Sequence, residues 1–378
     1  MYFGYKIRLF PTKEQEERLW EHINGCRFVW NYMLAMQEER YHNGEKHFSS
    51  CGMTKVLTNI KHNSEYKWLN NISYNSMGRV CRNLDVAYDR YFKKISNKPR
   101  FKTKKKSKKS YPVRNDYIIF SDEFVNIEKI GKIKYQSSCS MPMGRGIKFY
   151  NSSILYTNNN KWILSVCMNC ENQAVELTDN AMGIDLGIKE LAVVAYGDQE
   201  LVFHNINKSA GIKKEEQRLR HLQRNVSRKY RQHNNFNKTK NILKAEAKVS
   251  RAVAHLKNIR LNYLHQTTHA LVELKPCIVT MESLGVANMM KNKCISKYVA
   301  QQCLDEFIRQ MKYKCEFYGI PFVQVDRFYP SSKTCSCCGA IKKDLKLKDR
   351  IYKCDYCGFE IDRDYNAAIN LMKYGMAQ

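Results

Sequence analysis

Four cysteines have the spacing of a metal site in this 378-residue sequence. Cys335 and Cys338 form one C-x2-C pair, and Cys354 and Cys357 form a second pair after fifteen intervening residues. Two such pairs can place four thiolates tetrahedrally around one Zn²⁺ and leave no open position for water. The pattern therefore predicts one structural zinc ion, with reduced, unliganded thiols as the alternative. Cys337 lies inside the first pair and is not expected to bind the ion.

Three acidic residues could supply carboxylates to a second kind of metal site. Asp185 lies in an apolar strand pattern, Glu282 ends the apolar segment 276–282, and Asp364 opens the last predicted helix. A carboxylate on a buried strand is costly unless a cation neutralises it. Three converging carboxylates could hold two Mg²⁺ ions, which would activate a water and stabilise the leaving oxygen in an attack on a phosphodiester.

Each of the three acids also has a purely structural explanation. Asp185 could be a turn residue between Gly183 and Gly187, and Glu282 could be a surface residue at a strand end. Asp364 could serve only as the N-cap of its helix. Spacing alone does not choose between these explanations and the metal site.

The charge balance indicates a nucleic-acid partner. The sequence has 64 Lys and Arg against 36 Asp and Glu, a formal net charge of +28. Such a surplus attracts phosphate backbones, and counterion release supplies much of the binding. The segment 98–109 has eight basic residues and no acid, and 218–240 carries eight more. The candidate contacts are Lys98, Arg100, Lys102, Lys104, Lys105, Arg218, Arg224 and Arg228.

The first of these segments, 98–109, is expected to be a solvated arm that touches phosphates, since such a run of like charge is not expected to pack. A merely solvated linker is the alternative. Neither explanation assigns a role to any individual lysine or arginine.

The composition also excludes several classes of protein. With 43% hydrophobic residues the chain can build a core, so wholesale disorder is not expected. No run approaches the roughly 18 apolar residues of a membrane span, so no membrane partner is expected. The first residues carry Lys6, Arg8 and Lys13, unlike a signal peptide, and the fifteen cysteines are then not expected to form a disulfide scaffold. We expect a cytoplasmic, nucleoid-associated protein of a prokaryote.

The order of strands and helices predicts three parts: a helical region after the first strand, a region of short strands, and an α/β domain. Residues 2–10 alternate as a strand, and Thr12 with Gln15 forms a capping-box start for helices that continue to about residue 95. Short strands dominate 111–177, and the first strand is expected to join them in a small β-barrel or sandwich. Strands at 181–205 and a charged helical stretch at 211–274 then begin an α/β domain.

Several motifs make the sequence resemble a known family. The chain contains, in order, GIDLGI at 183–188, MESL at 281–284, SSKTCSCCG at 331–339 and DRDYNAAIN at 362–370. Earlier segments of the same type are YKIRLFPTKEQEERLW, CRFVWNYML and KPRFKTKKKS. Together these segments resemble the TnpB (OrfB) family of transposon-encoded proteins, which is similar to the miniature type V CRISPR effectors. The resemblance covers nearly the whole chain.

The resemblance implies a multidomain α/β fold. It consists of an RNase H-like (RuvC) nuclease domain with an inserted zinc ribbon, and an N-terminal wedge β-barrel with an inserted helical recognition bundle. The expected boundaries are 1–11 and 111–178 for the barrel, 12–110 for the recognition domain with its basic arm, 179–330 and 359–378 for the nuclease domain, and 331–358 for the zinc ribbon.

The resemblance also implies an activity. The family are RNA-guided DNA endonucleases that bind an RNA from the transposon end, recognise a short motif flanking the target and cut DNA with Mg²⁺. Asp185 and Glu282 match the acids of the first two RuvC motifs, and Asp364 is preferred to Asp362 for the third. The expected cofactors are two catalytic Mg²⁺ and one structural Zn²⁺, and the expected partners are guide RNA and double-stranded target DNA. The oligomeric state stays undetermined.

Three alternatives stay open at this point. The chain could be a nuclease-inactive nucleic-acid-binding protein such as a guided repressor, although none of the three acids is missing. It could be an unguided transposase built on the same RNase H fold. It could also be a miniature type V CRISPR effector, which a repeat array beside the gene would indicate.

Overall fold

The alternating residues at the start of the chain form strand β1, Tyr2–Phe10, in the computed structural model. The structure describes residues 1–137, 141–144, 147–173, 175–232, 238–346 and 349–378. Their contacts divide them into two units, Met1–Cys170 and Glu171–Gln378. Every helix in the described ranges is too short or too polar to span a lipid bilayer.

Helices follow β1 because Pro11 ends the strand and the next residues form a helix cap. Thr12 Oγ1 accepts from the Gln15 backbone N–H at 3.3 Å, and the Thr12 N–H donates to Gln15 Oε1 at 3.0 Å. This reciprocal pair confirms the predicted capping box. The helices are α1, Lys13–His42, α2, Ser50–His62, and α3, Tyr74–Phe92, with a 3-10 helix at Ser64–Asn71 before α3.

The remaining strands of the first unit belong to the same sheet as β1, and β5 and β7 are its direct neighbours. They are β2, Ser110–Pro112, β3, Ile119–Phe120, β4, Phe124–Ile127, β5, Gly131–Gln136, β6, Phe149–Tyr156, and β7, Trp162–Asn169. A 3-10 helix spans Asn115–Tyr117. Among the described residues they form one seven-stranded antiparallel sheet in the order β2-β6-β7-β1-β5-β4-β3. In the order of the chain, the helices α1 to α3 thus lie between the central strand β1 and the other strands of its sheet, as predicted.

The second unit contains a five-stranded mixed sheet, a two-stranded sheet and several helices within the described residues. Its strands and helices are β8, Ala181–Leu186, β9, Glu190–Tyr196, β10, Gln199–His204, α4, Ala210–Gln232, α5, Lys240–Glu273, β11, Ile278–Glu282, α6, Val286–Met289, α7, Ser296–Gln302, α8, Leu304–Tyr318, β12, Phe322–Val325, β13, Ile351–Lys353, β14, Glu360–Asp362, and α9, Arg363–Met376. A short 3-10 helix spans Ile206–Lys208. The predicted helical stretch 211–274 is divided into α4 and α5, and residues 233–237 between them lie outside the described residues.

The strand order of this sheet identifies its fold class. In the described ranges the order is β10-β9-β8-β11-β12. Strands β8, β9 and β10 form an antiparallel meander, whereas β11 is parallel to β8 and β12 is parallel to β11. Three antiparallel strands extended by two parallel ones are the arrangement of the RNase H fold, so the predicted fold class is confirmed.

The predicted zinc ribbon forms a small structure between β12 and α9. Strands β13 and β14 pair antiparallel within it. Its own core contains Cys335, Tyr352 and Cys354, each almost fully buried. Residues 347 and 348 of the predicted ribbon lie outside the described residues.

Each unit has its own apolar core. In the first unit the sheet residues Ile7 and Leu164 and the helix residue Leu19 are fully buried in one cluster. In the second unit Met281 of β11 and Phe307 of α8 belong to a separate cluster. Strands β8 and β9 are buried along most of their length because both lie inside the sheet.

Helix α9 lies against the second sheet at a point where only glycine can be accommodated. A Cβ atom on Gly183 of β8 would overlap the backbone of Ala368 and Met372 in α9. A Cβ on Gly375 of α9 would likewise overlap the side chain of Thr280 in β11. The backbone of α9 therefore lies directly against the backbone of β8 and against the Thr280 side chain of β11, which fixes where the first turn of the helix lies.

Replacing Gly183 by Ala is expected to lower the free energy of unfolding by about 1–3 kcal/mol, because the methyl group meets backbone atoms that cannot move independently. Gly78→Ala is the matched control, since Gly78 lies inside α3 with open space around its Cβ position. That change is expected to stabilise the protein by roughly 0.5–1 kcal/mol. Denaturant unfolding of both variants measures the difference, and equal effects would contradict the close helix–sheet approach.

Candidate metal-binding sites

Two parallel strands bring two of the predicted acids side by side. Asp185 lies inside β8, where it pairs with Val193 of β9, so the turn-residue explanation for Asp185 is wrong. Glu282 is the last residue of β11. The register pairs Ile184 with Met281, which are the residues immediately before the two acids. Because neighbours in a parallel register project to the same face, Asp185 and Glu282 face the same side of the sheet.

Helix α9 supplies the third acid, and the structure distinguishes Asp364 from Asp362. Asp362 is the N-cap, since its carboxylate accepts from the backbone N–H of Asp364 at 2.8 Å. Asp364 follows in the first turn, so the explanation that it serves only as the N-cap is wrong. Of the two charges, that of Asp364 has the larger effect on the pKa of Asp185. This is consistent with the choice of Asp364 as the third acid.

Burial and acidic neighbours both disfavour the charged form of Asp185. Burial raises the pKa of Asp185 from its usual 3.8 to about 8, and the charges of Asp364 and then Glu282 act in the same direction. Burial also raises the pKa of Glu282. Carboxylates held together in this way favour a bound proton or a cation. Oxygen donors of this kind suit Mg²⁺, so the residues present fit the predicted ion.

Two arginines, which the sequence analysis did not single out, lie beside this group. Arg363 Nη2 lies 3.0 Å from Asp364 Oδ1, and Arg350 Nη1 lies 3.7 Å from Asp364 Oδ2. Arg363 is adjacent to Asp364 in the sequence, so the motif alone predicts that the two residues lie close together. Arg350 belongs to the cysteine-rich segment, and only the fold brings it to the acid.

The cysteine cluster is the tighter of the two candidate sites. In the described part of the chain, Cys335, Cys338, Cys354 and Cys357 are the one group of three or more potential ligand residues whose ligand atoms all lie within 4.8 Å of one another. The three acids are spaced more widely than this limit. The predicted clustering of the cysteines is confirmed, and Cys337 lies outside the group on an exposed position.

Backbone geometry explains how each cysteine pair turns back on itself. The Gly339 N–H donates to Cys335 O at 2.9 Å, and the Gly358 N–H donates to Cys354 O at 3.1 Å. Both glycines have left-handed φ values, +77° and +71°, which other residues adopt at a cost. Backbone N–H groups of Cys357 and Tyr356 lower the pKa of Cys354 to about 6. This favours the thiolate, which is the form that binds metal.

The predicted arm at 98–109 is not merely solvated. Lys98 forms an ion pair with Glu38 at 3.0 Å, and Lys102 is half-buried with its Nζ 3.6 Å from the centre of the Trp30 ring. The expectation that such a run does not pack is therefore wrong for this part of it, because the lysine stem packs on an aromatic side chain. The other candidates in the arm, Arg100, Lys104 and Lys105, are exposed.

The second group of basic candidates lies on α4. Arg218, Arg224 and Arg228 are all exposed there. Arg218 has an acidic neighbour, Glu215, at 3.3 Å. Arg224 and Arg228 are one helical turn apart on the same face.

Comparison with known proteins agrees with this architecture. The OrfB-type family model described as "Probable transposase" matches residues 165–293. A "Cas12f1-like, TNB domain" model matches 305–371, and the "Helix-turn-helix domain" model of the same OrfB type matches 1–46. These matches support the TnpB (OrfB) family. The resemblance seen in the sequence is confirmed.

Curated relatives align along nearly the full length of the chain. A protein from Streptomyces pristinaespiralis named "Putative RNA-guided DNA endonuclease" is 28% identical and covers 99% of this chain and 89% of its own. "Putative RNA-guided DNA endonuclease InsQ" of Escherichia coli K12 is 26% identical, with 99% and 92% covered. Among solved structures, one titled "Cryo-EM structure of the Cas12f1-sgRNA-target DNA complex" is similar with a TM-score of 0.57 at 15% identity, covering 96% of this chain and 83% of that one. This last likeness shows a shared fold.

Asp185→Asn is expected to stabilise the chelator-treated protein at pH 7. The gain should exceed about 1.4 kcal/mol, the value of one pKa unit, because the folded state raises the pKa by several units. Since both folded and unfolded Asp185 are protonated below about pH 4, the gain should vanish there and grow as the pH rises toward 8.

Asp198→Asn is the control for this measurement, because Asp198 is an exposed residue between β9 and β10. It should change the free energy of unfolding by no more than about 0.5 kcal/mol. Denaturant titrations at several pH values decide the matter. Destabilisation by Asp185→Asn at pH 7 would contradict the raised pKa of Asp185 in the folded protein.

Proposed function

We propose that this chain is an RNA-guided DNA endonuclease of a transposon. It binds a guide RNA derived from the transposon end, recognises a short motif beside the target and cleaves double-stranded DNA by phosphodiester hydrolysis. The observation that carries the proposal is that Asp185 and Glu282 lie on the same side of an RNase H-like sheet, with Asp364 near enough for its charge to raise the pKa of Asp185. The names of both curated relatives support the guided activity. The presence of all three acids disfavours a nuclease-inactive repressor.

We further propose that Asp185, Glu282 and Asp364 are the catalytic acids and that they hold two Mg²⁺ ions. When bound, the ions supply positive charge that makes water a better nucleophile and stabilises the leaving oxygen. Asp185 must lose its proton to act as a ligand, since its raised pKa keeps it protonated at neutral pH without a cation. The paired register of β8 and β11 orients two of the carboxylates. The Asp362 cap orients the third by fixing the first turn of α9.

We assign one structural Zn²⁺ to the cysteine cluster. Cys335, Cys338, Cys354 and Cys357 complete a four-thiolate set, which leaves no position for a substrate or an activated water. Its role is therefore to hold the small segment between β12 and α9 together. That segment also contains Arg350, which contacts Asp364.

The basic segments are proposed as the nucleic-acid contacts. In guided recognition, base pairing reads the sequence while the protein holds the backbone through positive charge. The candidates are Lys98, Arg100, Lys102, Lys104, Lys105, Arg218, Arg224 and Arg228, most of them exposed. We propose that the protein acts on the nucleoid in the cytoplasm of a prokaryote.

Expression with the native flanking DNA tests the guided activity. The purified protein is expected to carry one discrete RNA with a constant part encoded beside the gene and a variable end. A target that matches this end should be cut in the presence of Mg²⁺. Only bulk cellular RNA, or none, would contradict guided recognition and favour an unguided transposase, to be assayed on transposon-end DNA. A constant part that matches a CRISPR repeat would favour the effector alternative.

Asp185→Ala is expected to lower the cleavage rate at least about a hundredfold, because metal-ion stabilisation of the transition state contributes several kcal/mol. Binding of guide RNA and target should stay within about threefold of wild type. Asp198→Ala is the matched control and should cut normally. Metal-dependent cleavage that persists in Asp185→Ala would remove this residue from the site.

Cys354→Ser is expected to abolish stoichiometric zinc binding and to lower the melting temperature, since a structural zinc ion contributes folding free energy. Cys337→Ser, in the first C-x2-C turn but outside the cluster, should retain both properties. Metal analysis by mass spectrometry and thermal unfolding measure the two effects. Equal zinc content in the two variants would contradict the four-cysteine assignment.

A further inference from the structure

The N-terminal unit contains a cationic cavity of about 370 Å³, here called the arm pocket. It lies between α1, α3, residues 102–112 and residues 151–153. Cavities of this size accommodate one small ligand or one unit of a polymer. The basic residues that line it are Arg27, Arg79, Lys102, Lys104, Lys108 and Lys109, and no acidic residue lines it among those the structure describes.

One wall of the arm pocket is held in place by hydrogen bonds to α1. Asn31 Nδ2 donates to Lys102 O at 2.9 Å, and the Lys102 N–H donates back to Asn31 Oδ1 at 2.7 Å. Trp30 Nε1 donates to Arg100 O at 3.0 Å. These three bonds attach the basic arm to the helix at 100–102. Its cations are therefore positioned before any ligand binds.

Two of these cations, Arg79 and Lys102, have no anionic partner among the described residues. Arg79 donates to three neutral oxygens there: Val113 O at 3.4 Å, Asn115 Oδ1 at 3.3 Å and Asn151 Oδ1 at 3.1 Å. Lys102 Nζ lies over the Trp30 ring. In the part of the chain that the structure describes, no carboxylate lies within 4.0 Å of either cation.

Partial burial makes these unpaired charges costly. Burial lowers the pKa of Lys102 to about 8, and burial also lowers the pKa of Arg79. A cation removed from water without a counterion raises the free energy of the folded state. An anion bound in the cavity would remove this cost.

The wall of the arm pocket also contains unpartnered hydroxyl groups. Ser152 and Tyr111 are 1% and 2% exposed, and neither hydroxyl has a hydrogen-bond partner among the described residues. Buried hydroxyls without partners are uncommon in folded proteins. A phosphate oxygen could accept a hydrogen bond from Ser152 after a rotation of its side chain.

We propose that the arm pocket binds the phosphate group of one nucleotide in the bound nucleic acid, with Arg79 and Lys102 as the charged ligands and Ser152 as an additional donor. The inference rests on the proposed function, because it takes nucleic acid as the partner. It assigns one defined phosphate-binding site to a surface whose other basic residues are proposed as contacts only by their charge. The phosphate belongs to the guide RNA or to the target DNA, which share this chemistry.

Two variants of the full-length protein test the arm pocket. Arg79→Gln removes the guanidinium, and Lys102→Met removes the charge while it keeps the stem that packs on Trp30. Fluorescence anisotropy measures two affinities: that of RNA-free protein for the co-purified guide RNA, and that of the protein–RNA complex for matching double-stranded DNA. Each variant is expected to weaken one of these about tenfold or more, the range for a charge-assisted hydrogen bond. The affected ligand identifies the source of the phosphate.

Controls separate this effect from general loss of charge or of folding. Arg82→Gln removes an exposed arginine on the same helix outside the pocket, and should change either affinity no more than twofold. The slope of log affinity against log salt concentration should be smaller in magnitude by about one unit in Arg79→Gln than in wild type. Lys102→Met should raise the melting temperature of the nucleic-acid-free protein, because it removes an unpaired, partly buried charge. Weaker binding by a more stable protein cannot be a folding defect.

Two results would overturn the inference, and they are distinguishable. In the first, wild type binds both nucleic acids, and Arg79→Gln and Lys102→Met bind them as tightly as the control Arg82→Gln does. The arm pocket is then not a phosphate site, although the proposed function stands. If wild type binds neither nucleic acid, the proposed function fails and the arm-pocket inference fails with it.

Discussion

Helix α9 approaches the second sheet at backbone distance, and the geometry of the candidate active site depends on this approach. Gly183 in β8 and Gly375 in α9 are the two positions at which a Cβ atom would prevent it. Asp185 follows Gly183 by two residues, and Asp364 lies in the first turn of the helix. A shift of the helix away from the sheet would therefore separate the two acids directly. Glycine at the contact is a requirement of the site as well as of the fold.

The charged groups of both units are positioned in advance of their ligands. The pKa of Asp185 is raised by burial and by its acidic neighbours, while burial lowers the pKa of Lys102. The two shifts have opposite signs on opposite charges, and both mean that folding without ligands makes the charged form less favourable than it is in the unfolded chain. Cations beside the acids and phosphates beside the arm pocket would each stabilise the charged form. Ligand binding and protein stability are therefore coupled in both units.

The cysteine-rich segment also contributes to the acidic site. Its four clustered cysteines are enough to explain a stable small structure around one metal ion. The same segment contains Arg350, whose guanidinium lies 3.7 Å from Asp364, and it connects directly to α9 through β14. Loss of the proposed zinc ion would consequently disturb a neighbour of the acids as well as the ribbon itself.

The sequence by itself determined the features that depend on short stretches of chain. The C-x2-C spacing with its following glycines, the Thr12–Gln15 cap and the apolar strand around Asp185 act through local covalent geometry, and all three are present in the structure. Only the tertiary structure decided that Asp362 caps α9 while Asp364 acts on Asp185, because either acid could occupy the cap from sequence alone. The sequence also did not predict that the basic arm is attached to Asn31, since these hydrogen bonds join residues 71 positions apart in the chain. Such contacts depend on how elements pack, and local spacing does not encode them.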